Sequence, residues 1–128
     1  MIPGIIISHG RIAEELKNAV ELIVGPTRKL HAISNDGSEP DELSKKILKF
    51  SLPELPVFLF TDLRGGSCWR AAMIASKAID ESSVFTGVNL PMLISFVTKR
   101  SQLSHEELPA VVLEDAQRGL LLEKKPGG

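Results

Sequence analysis

Short apolar runs rich in β-branched residues alternate along this chain with longer segments whose apolar residues recur every three or four positions. The short runs are typical of buried strands, and the longer segments are typical of helices that cover one face of a sheet. The runs predict strands at 4–8, 30–33, 57–61 and 83–86. Helical spacing begins after Gly10, in an apolar stripe made of Ile12, Leu16, Ala19, Val20 and Ile23.

Residues suited to helix ends bound the helical segments. Gly25 followed by Pro26 ends the first helix, with glycine at the cap and proline just beyond it. Asp41 is predicted to cap a second helix that continues to Phe50, whose ring faces inward. Further helices are predicted at 68–79, from 90 to at least 97, and at 106–118.

The alternation of strands and helices predicts an α/β fold. We expect an open, doubly wound, mainly parallel sheet in the order 2-1-3-4, with helices on both faces. Ligands of such sheets gather at the carboxyl ends of the strands, near the point where the strand order reverses. His9 ends the first strand, Asp62 follows the third and Asn89 follows the fourth. These polar side chains are therefore expected to meet at one edge of the sheet.

Three leucines, at 120–122, follow the glycine that ends the last helix. They form either a short apolar strand or a final extension of that helix. A covered sheet offers them no partner within the chain, and pairing of a carboxyl-terminal edge strand with a second subunit is one way to bury them. Such pairing would make the protein a dimer. One domain is expected at 1–123, with a flexible tail at 124–128.

Composition narrows the classes of function. The chain has 128 residues, enough for one domain, and a net charge of −1, which does not suggest binding to nucleic acid or to an anionic membrane surface. Cys68 is the only cysteine, which excludes an intramolecular disulfide and a metal site of several cysteines. The first residues lack the features of a signal peptide, and no apolar run is long enough to span a bilayer. A cytoplasmic protein is expected.

His9 is the leading candidate for chemistry. It lies between a buried strand and a helix start, beside Gly10, which leaves its imidazole uncrowded. The helix start offers free backbone N–H groups and a positive dipole end, which suit a phosphoryl group. Imidazole is nucleophilic near neutral pH and can accept and then release phosphate. His31 and His105 lack such a setting and are expected to be ordinary surface or strand histidines.

Asp62 and the turn Gly65-Gly66-Ser67 are the expected companions of His9. Asp62 can accept a hydrogen bond from one imidazole nitrogen, which would leave the other nitrogen as the nucleophile. The glycine turn before a helix resembles an anion cradle, with exposed backbone N–H groups and a hydroxyl donor. It lacks the Gly-Lys-Ser/Thr ending of a nucleotide-binding loop, so no nucleotide site is inferred.

Other interpretations of these residues stay open. Ser8 or Ser67 with His9 and Asp62 has the residue types of a Ser–His–Asp hydrolase, although no Gly-x-Ser-x-Gly elbow is present. Cys68 near a helix start is either a reactive thiol or a packed core residue. The sequence also does not decide whether an aromatic side chain in the same segment, at Trp69, belongs to the core or contacts a partner.

Taken together, the motifs resemble one family. The chain resembles the enzyme IIA domain of the mannose family of the bacterial phosphoenolpyruvate-dependent sugar phosphotransferase system. The resemblance lies in the segments 5–10, 60–67 and 87–93 and in the closing helix with Arg118-Gly119, in an order and spacing that span nearly the entire chain.

The resemblance implies a role for each candidate residue. His9 would accept phosphate on Nε2, and Asp62 would orient the imidazole through Nδ1. The phosphate-binding positions would be Gly10, Gly65, Gly66 and Ser67. The resemblance also implies a homodimer with an exchanged carboxyl-terminal strand. No metal and no organic cofactor is implied.

The implied activity is phosphotransfer between proteins. His9 would take phosphate from the histidine-containing phosphocarrier protein and pass it to an enzyme IIB for sugar uptake. The chain would not insert into the membrane, although it would associate with membrane permease components, and the sugar cannot be inferred. The alternative is a regulatory domain in which phosphorylation of His9 controls a kinase or a transcription regulator. The phosphoryl-donor subunit of dihydroxyacetone kinase is a third, less well matched variant.

The chain departs from the family around the glycine pair. Typical members have an aromatic residue there and a Pro-Phe-Asn stretch, whereas this chain has Arg64 and then Cys68-Trp69-Arg70. The added positive charges either strengthen phosphate binding, alter which partner fits, or are solvated with little effect. Four positions are therefore candidates for contact with a partner: Arg64, Trp69, Arg70 and Asn89.

Overall fold

The computed structural model of the chain describes residues 1–52 and 54–126. Its strands are β1 (Gly4–His9), β2 (Leu30–Asn35), β3 (Val57–Thr61) and β4 (Ser82–Thr86). Its helices are α1 (Ile12–Val24), α2 (Pro40–Leu48), α3 (Ser67–Ser76), α4 (Leu90–Lys99) and α5 (Leu108–Arg118). All strand pairs are parallel and the sheet has the order β2-β1-β3-β4, so the predicted fold is confirmed.

The sheet separates two hydrophobic layers, because successive residues of a strand face opposite sides. Ile6 of β1 packs with the apolar residues of α1, α4 and α5. Its neighbours Ile5 and Ile7 pack on the other side, against α2 and α3. Helices therefore cover both faces, and β1, buried on both, reads as a continuous apolar run.

The strand register aligns the residues at the carboxyl edge. His9 pairs with Asn35 at the ends of β1 and β2, while Ile7 pairs with Thr61 at the end of β3. Asp62 therefore leaves β3 beside the end of β1. This edge also carries the amino ends of α1 and α3, so the fold brings two helix starts to the point where the strand order reverses.

Details of three helices differ from the expectation. Ala13 and Val20 of α1 are buried, but Ile12 and Ile23 of the predicted stripe are 50% and 58% exposed. They lie beside, not over, the sheet, since the helix touches it along a narrower strip than the sequence pattern suggests.

The prediction that Asp41 caps α2 was wrong. The helix begins at Pro40, with Glu39 as the cap, because proline suits the first helical position. It ends at Leu48, and Phe50 lies beyond it, partly exposed and stacked on His31 with ring centroids 4.5 Å apart.

The helix α3 begins one residue earlier than predicted and ends earlier, at Ser76. Of its expected packing residues, Ala72 and Ala75 are buried. Ile74 is exposed. Ala78 lies beyond the helix and is also exposed.

The chain beyond α5 forms no strand within the described residues. Leu120, Leu121 and Leu122 are 84%, 72% and 94% exposed. The last two residues of the predicted tail, Gly127 and Gly128, lie outside the described residues. Across the ranges 1–52 and 54–126, the helices are all too short or too polar to cross a membrane.

Candidate functional site

His9 stands at the carboxyl end of β1, where the chain turns into α1. Gly10 makes that turn with φ at 57°, in the left-handed region that glycine adopts without strain. The preceding Ser8 is fully buried, and its Oγ accepts a hydrogen bond from the backbone N–H of Ala13 at 2.6 Å. That bond ties the start of α1 to β1, while the side chain of His9 is left 50% exposed.

One carboxylate oxygen of Asp62 makes two hydrogen bonds with His9. Oδ2 accepts hydrogen bonds from the backbone N–H of His9 at 2.8 Å and from its Nδ1 at 2.7 Å. Because Asp62 accepts at Nδ1, the ring proton is placed on that nitrogen and the lone pair on Nε2. The sequence-based expectation that Asp62 lies beside His9 is met by this geometry.

Two opposing effects act on the charge of Asp62. Burial alone would raise the pKa of this carboxyl group, but the hydrogen bonds from the backbone and ring of His9 outweigh it and hold the pKa below its ordinary value. Asp62 is therefore ionised at neutral pH. Its other oxygen, Oδ1, is buried and has no hydrogen-bond partner among residues 1–52 and 54–126.

Ser67 meets the opposite side of the imidazole. Its Oγ lies 3.2 Å from Nε2 of His9 and accepts a hydrogen bond from Nδ2 of Asn35 at 2.7 Å. The amide oxygen of Asn35 accepts from the backbone N–H groups of Gly37 and Ser38, at 3.1 and 3.0 Å. The amide group is thereby fixed, and the Ser67 proton is free to point at Nε2.

Asn35 is a site residue that sequence reasoning missed. The second strand is predicted to end at residue 33, whereas β2 continues to Asn35 and aligns it with His9. An available signal was its place before Asp36-Gly37-Ser38, since Asn side chains that hydrogen-bond the backbone just after them stabilise tight turns.

The glycine turn places the start of α3 close to His9. Gly65 has φ at 83°, and the N–H of Gly66 donates to the carbonyl of Leu63 at 3.0 Å. A Cβ atom on Gly66 would lie 3.2 Å from that carbonyl oxygen and 3.5 Å from Cε1 of His9. The first N–H groups of a helix have no acceptor within the helix, and those of α3 begin beside His9.

Cys68 is packed, not exposed. The side chain is fully buried, with Sγ 3.8 Å from Nδ1 of His9. Burial, and then the negative charge of Asp62, raise the pKa of this thiol to about 11. It is therefore protonated near neutral pH and is a poor nucleophile.

The candidate contact residues fall into two groups. Arg64 and Arg70 are exposed, and the guanidinium carbon of Arg64 lies 5.9 Å from the ring centroid of the half-buried Trp69. Asn89 instead uses its polar atoms within the chain. Its Oδ1 accepts from the N–H of Met92 at 2.9 Å, and its Nδ2 donates to the carbonyl of Ala116 at 3.2 Å. Asn89 therefore caps α4 and ties it to α5.

The combined geometry suits reversible transfer of a group to and from Nε2. A carboxylate fixes Nδ1, a hydroxyl group faces Nε2, and half of the imidazole is open to solvent. The contacts of Ser67, His9 and Asp62 are also those of a Ser–His–Asp triad. Ser8, the other serine considered for such a triad, is excluded because its hydroxyl is buried and bonded to α1.

Comparisons with known proteins bear on this choice. The family model EIIA-man, described as "PTS system fructose IIA component", matches residues 4–113. The PTS system mannose-specific EIIAB component of Escherichia coli K12 is 29% identical over 125 residues, covering 93% of this chain. This chain spans 39% of the length of that relative.

Solved structures show the same fold. The mannose/sorbose specific IIA subunit of the phosphotransferase system from Enterococcus faecalis superposes with a TM-score of 0.84, with 26% identity over 98% of each chain. The phosphotransferase system component EIIA from Streptococcus agalactiae gives a TM-score of 0.88 at 24% identity, covering 94% of this chain and 96% of that one.

Proposed function

Because this chain belongs to the EIIA-man family of the sugar phosphotransferase system, we propose that His9 carries a phosphoryl group between two other proteins of that system. The single observation that supports this role is the pairing of Nδ1 of His9 with Asp62 at 2.7 Å, which leaves the lone pair of Nε2 available.

In the proposed step, the lone pair of Nε2 attacks the phosphorus atom of a phosphohistidine on the donor protein. The donor P–N bond breaks, and its electron pair returns to the donor imidazole. The ring of His9 gains positive charge as the new P–N bond forms, and the ionised Asp62 stabilises that charge through Nδ1–H. Transfer to the acceptor is the reverse of this step.

Donors at the start of α3 would stabilise the phosphoryl group. The hydroxyl of Ser67, which faces Nε2, would turn to a phosphoryl oxygen, while Asn35 holds its Oγ in place. The turns that contain Gly10, Gly65 and Gly66 would supply further backbone N–H donors, apart from the N–H of Gly66, which donates to Leu63. Such donors matter because phosphoryl transfer depends chiefly on positioning and charge stabilisation. The step needs no metal or organic cofactor.

The partners follow from the same proposal. The donor is the histidine-containing phosphocarrier protein and the acceptor is an enzyme IIB, with sugar uptake by membrane permeases as the output. The names of the matched family and relative support sugar phosphotransfer and do not favour the regulatory alternative. Arg64 and Arg70 are exposed and flank the segment that carries Ser67, so they would select an acidic acceptor surface.

We also propose the exchanged dimer. β4 is an edge of the sheet and pairs only with β3 in the described part of the chain. A groove lined by 83–86 and by Pro109, Ala110 and Leu113 runs along that edge. Residues 120–122, exposed at the end of α5, would form a strand on β4 of the second subunit and bury their leucines there. The proposed domain, 1–123, includes this strand.

Truncation after Gly119 should convert a dimer to a monomer in sedimentation experiments, whereas an unchanged mass would refute the exchange.

Phosphorylation by the purified donor system tests the central proposal. Incubation with phosphoenolpyruvate, enzyme I and the carrier protein should label the full chain with acid-labile phosphate. Labelling should be lost in His9→Ala and kept in His105→Ala, the matched control on a histidine away from the sheet edge. An unlabelled wild-type chain under conditions that label another enzyme IIA would refute the carrier role.

The same experiment separates the hydrolase interpretation. A Ser–His–Asp hydrolase would form an acyl ester on Ser67 with an activated ester substrate, and this ester would be stable to acid. Acylation of Ser67 without phosphorylation of His9 would favour the hydrolase. Phosphate on Nε2 without an acyl-enzyme would favour the carrier.

A further inference from the structure

Cys68 gives the site a donor that the proposed phosphotransfer does not use. Its Sγ lies on the Nδ1 side of His9, the side held by Asp62, and away from the nitrogen that faces Ser67. One donor atom each from His9, Asp62 and Cys68 lies within 4.8 Å of the other two. Nitrogen, carboxylate oxygen and thiolate sulfur together form a donor set that suits zinc and similar divalent cations.

Two of the distances between the donor atoms can be compared with those around a tetrahedral ion. Zinc binds histidine nitrogen at about 2.0–2.1 Å and cysteine sulfur at about 2.3 Å, so a tetrahedral centre separates these two atoms by roughly 3.5 Å. The observed distance from Sγ to Nδ1 is 3.8 Å. Nitrogen and carboxylate oxygen would be roughly 3.4 Å apart, so Asp62 would move away from its present 2.7 Å contact.

A second observation, on the same carboxylate, supports a bound cation. Oδ1 of Asp62 is buried and has no hydrogen-bond partner in the described ranges of the chain. A buried, ionised oxygen without a donor is costly, and a cation bound to the carboxylate would satisfy it. The His9 side chain is half exposed, and water would fill the fourth position on the ion.

We propose that His9 Nδ1, Asp62 and Cys68 Sγ form a binding site for Zn²⁺ or a similar borderline-soft divalent cation. We also propose that the bound ion blocks phosphorylation, a second part that rests on the proposed role of His9 as phosphocarrier. Coordination at Nδ1 moves the single ring proton to Nε2 by exchange with water. Nε2 then has no lone pair to offer to phosphorus. The thiol proton is released to solvent as the sulfur binds the metal.

The proposal predicts an inhibitory ion, which distinguishes it from a cofactor. The metal would bind Nδ1 of the imidazole, and the phosphoryl group would bind Nε2. The two exclude each other because a ring that keeps one proton has a free lone pair on only one of its two nitrogens. A cell with elevated zinc would thereby hold this protein in its unphosphorylated form.

Cobalt provides a direct spectroscopic test, because a Co²⁺–thiolate bond gives a charge-transfer band in the near ultraviolet. The full chain, reduced and free of chelators, is titrated with Co²⁺ and then with Zn²⁺. We expect a thiolate band that saturates at one ion per chain and disappears as Zn²⁺ displaces Co²⁺. Since Cys68 is the only cysteine, the band can come only from this site. Absence of the band at saturating Co²⁺ would overturn the proposal.

Variants show which atoms bind. Loss of an outer partner of a metal ligand already weakens binding about 10–100-fold, and Cys68 is proposed as a direct ligand, so Cys68→Ala should weaken Zn²⁺ binding by about tenfold or more. Cys68→Ser is the second variant, in case alanine disturbs the packing of α3, and it too should lose the band. His105→Ala, which removes a histidine beside Glu106, is the matched control and should bind as the wild type does. Equal binding by the wild type and a folded Cys68 variant would refute the site.

The inhibitory effect needs a separate measurement. Zn²⁺ should slow phosphorylation of the wild type and of His105→Ala, and the slowing should be at least tenfold smaller at the same concentration in a Cys68 variant. Equal slowing in all variants would place the inhibition elsewhere and overturn the proposal. The cobalt spectrum requires no phosphate donor, so failure of metal binding and failure of phosphotransfer are observed independently.

Discussion

Replacement of Asp62 by asparagine tests how much the carboxylate contributes to the reactivity of His9. The substitution keeps the shape of the side chain and removes its charge. Asp62 makes charge-assisted hydrogen bonds to the backbone and ring of His9, at 2.8 and 2.7 Å. A hydrogen bond to a charged group contributes about 1.5–3 kcal/mol, against about 0.5–1.5 kcal/mol between neutral groups.

The difference sets the expected change in rate. Loss of about 1–2 kcal/mol of charge stabilisation at the developing imidazolium corresponds to phosphotransfer about 5–30-fold slower. Solvent screening does not reduce this value much, because the side chain of Asp62 is largely buried. Asparagine can still accept the Nδ1 proton, so Nε2 keeps its lone pair and transfer is slowed, not abolished.

Rapid-quench measurement of a single turnover is the appropriate assay, with the phosphorylated carrier protein as donor and in excess. Asp80→Asn is the matched control, since Asp80 is exposed and precedes β4 at the opposite edge of the sheet. Circular dichroism of each variant checks the fold. A rate for Asp62→Asn within twofold of the wild type would refute the stabilising role. A rate as low as that of His9→Ala would show that the carboxylate determines which nitrogen is protonated.

Three further outcomes are expected. Asn35→Ala removes the 2.7 Å hydrogen bond to Ser67 and should slow phosphotransfer about 2–10-fold, the effect of one neutral hydrogen bond. The control Asn18→Ala, on the exposed face of α1, should not slow it. Equal rates for the two variants would exclude a positioning role for Asn35. Burial holds the pKa of His31 below its ordinary 6.5 in the folded chain. The contribution of His31 to the free energy of unfolding is therefore complete above pH 6.5 and is lost as the pH falls below that value. In urea titrations, the free energy of unfolding of His31→Asn should therefore depend less on pH over that acidic range than that of the wild type. The same pH dependence in both proteins would contradict this role of His31. Arg100 is buried, and its guanidinium group donates to three backbone carbonyls. Arg100→Met should therefore lower the free energy of unfolding by about 2–3 kcal/mol in urea titrations. A loss of less than about 0.5 kcal/mol would contradict a stabilising role for these hydrogen bonds.

The strands and their order could be predicted because the local signal and the topological rule agree. The short, β-branched run from Gly4 to Ser8 favours a buried strand, and alternating strands and helices permit few sheet orders. Once β1 and β3 are neighbours, His9 and Asp62 must lie side by side, because each ends or follows its strand at the same edge. Their contact therefore follows from chain order, before any side-chain detail is known.

The rest of the site depends on where elements begin and end. Asn35 reaches Ser67 only because β2 continues beyond Ile33, and Cys68 reaches His9 only because α3 begins at Ser67. Such boundaries are set by tertiary packing and backbone hydrogen bonds, which local sequence specifies poorly. The exposure of Ile12 has the same origin, since helical spacing predicts an apolar face and does not show how much of it the sheet will cover.

The two hydrogen bonds from His9 to Asp62 also limit how partner proteins can bind to this protein. One oxygen holds both the backbone and the ring of the same residue, so the imidazole cannot swing from one partner to another. Nε2 is offered in a single direction, through one opening. We therefore expect donor and acceptor to take turns at that opening, with ping-pong kinetics and with each unloaded partner acting as a competitive inhibitor of the other. The flow of phosphate through this protein would then depend on the relative abundance of its two partners as much as on the chemistry at His9.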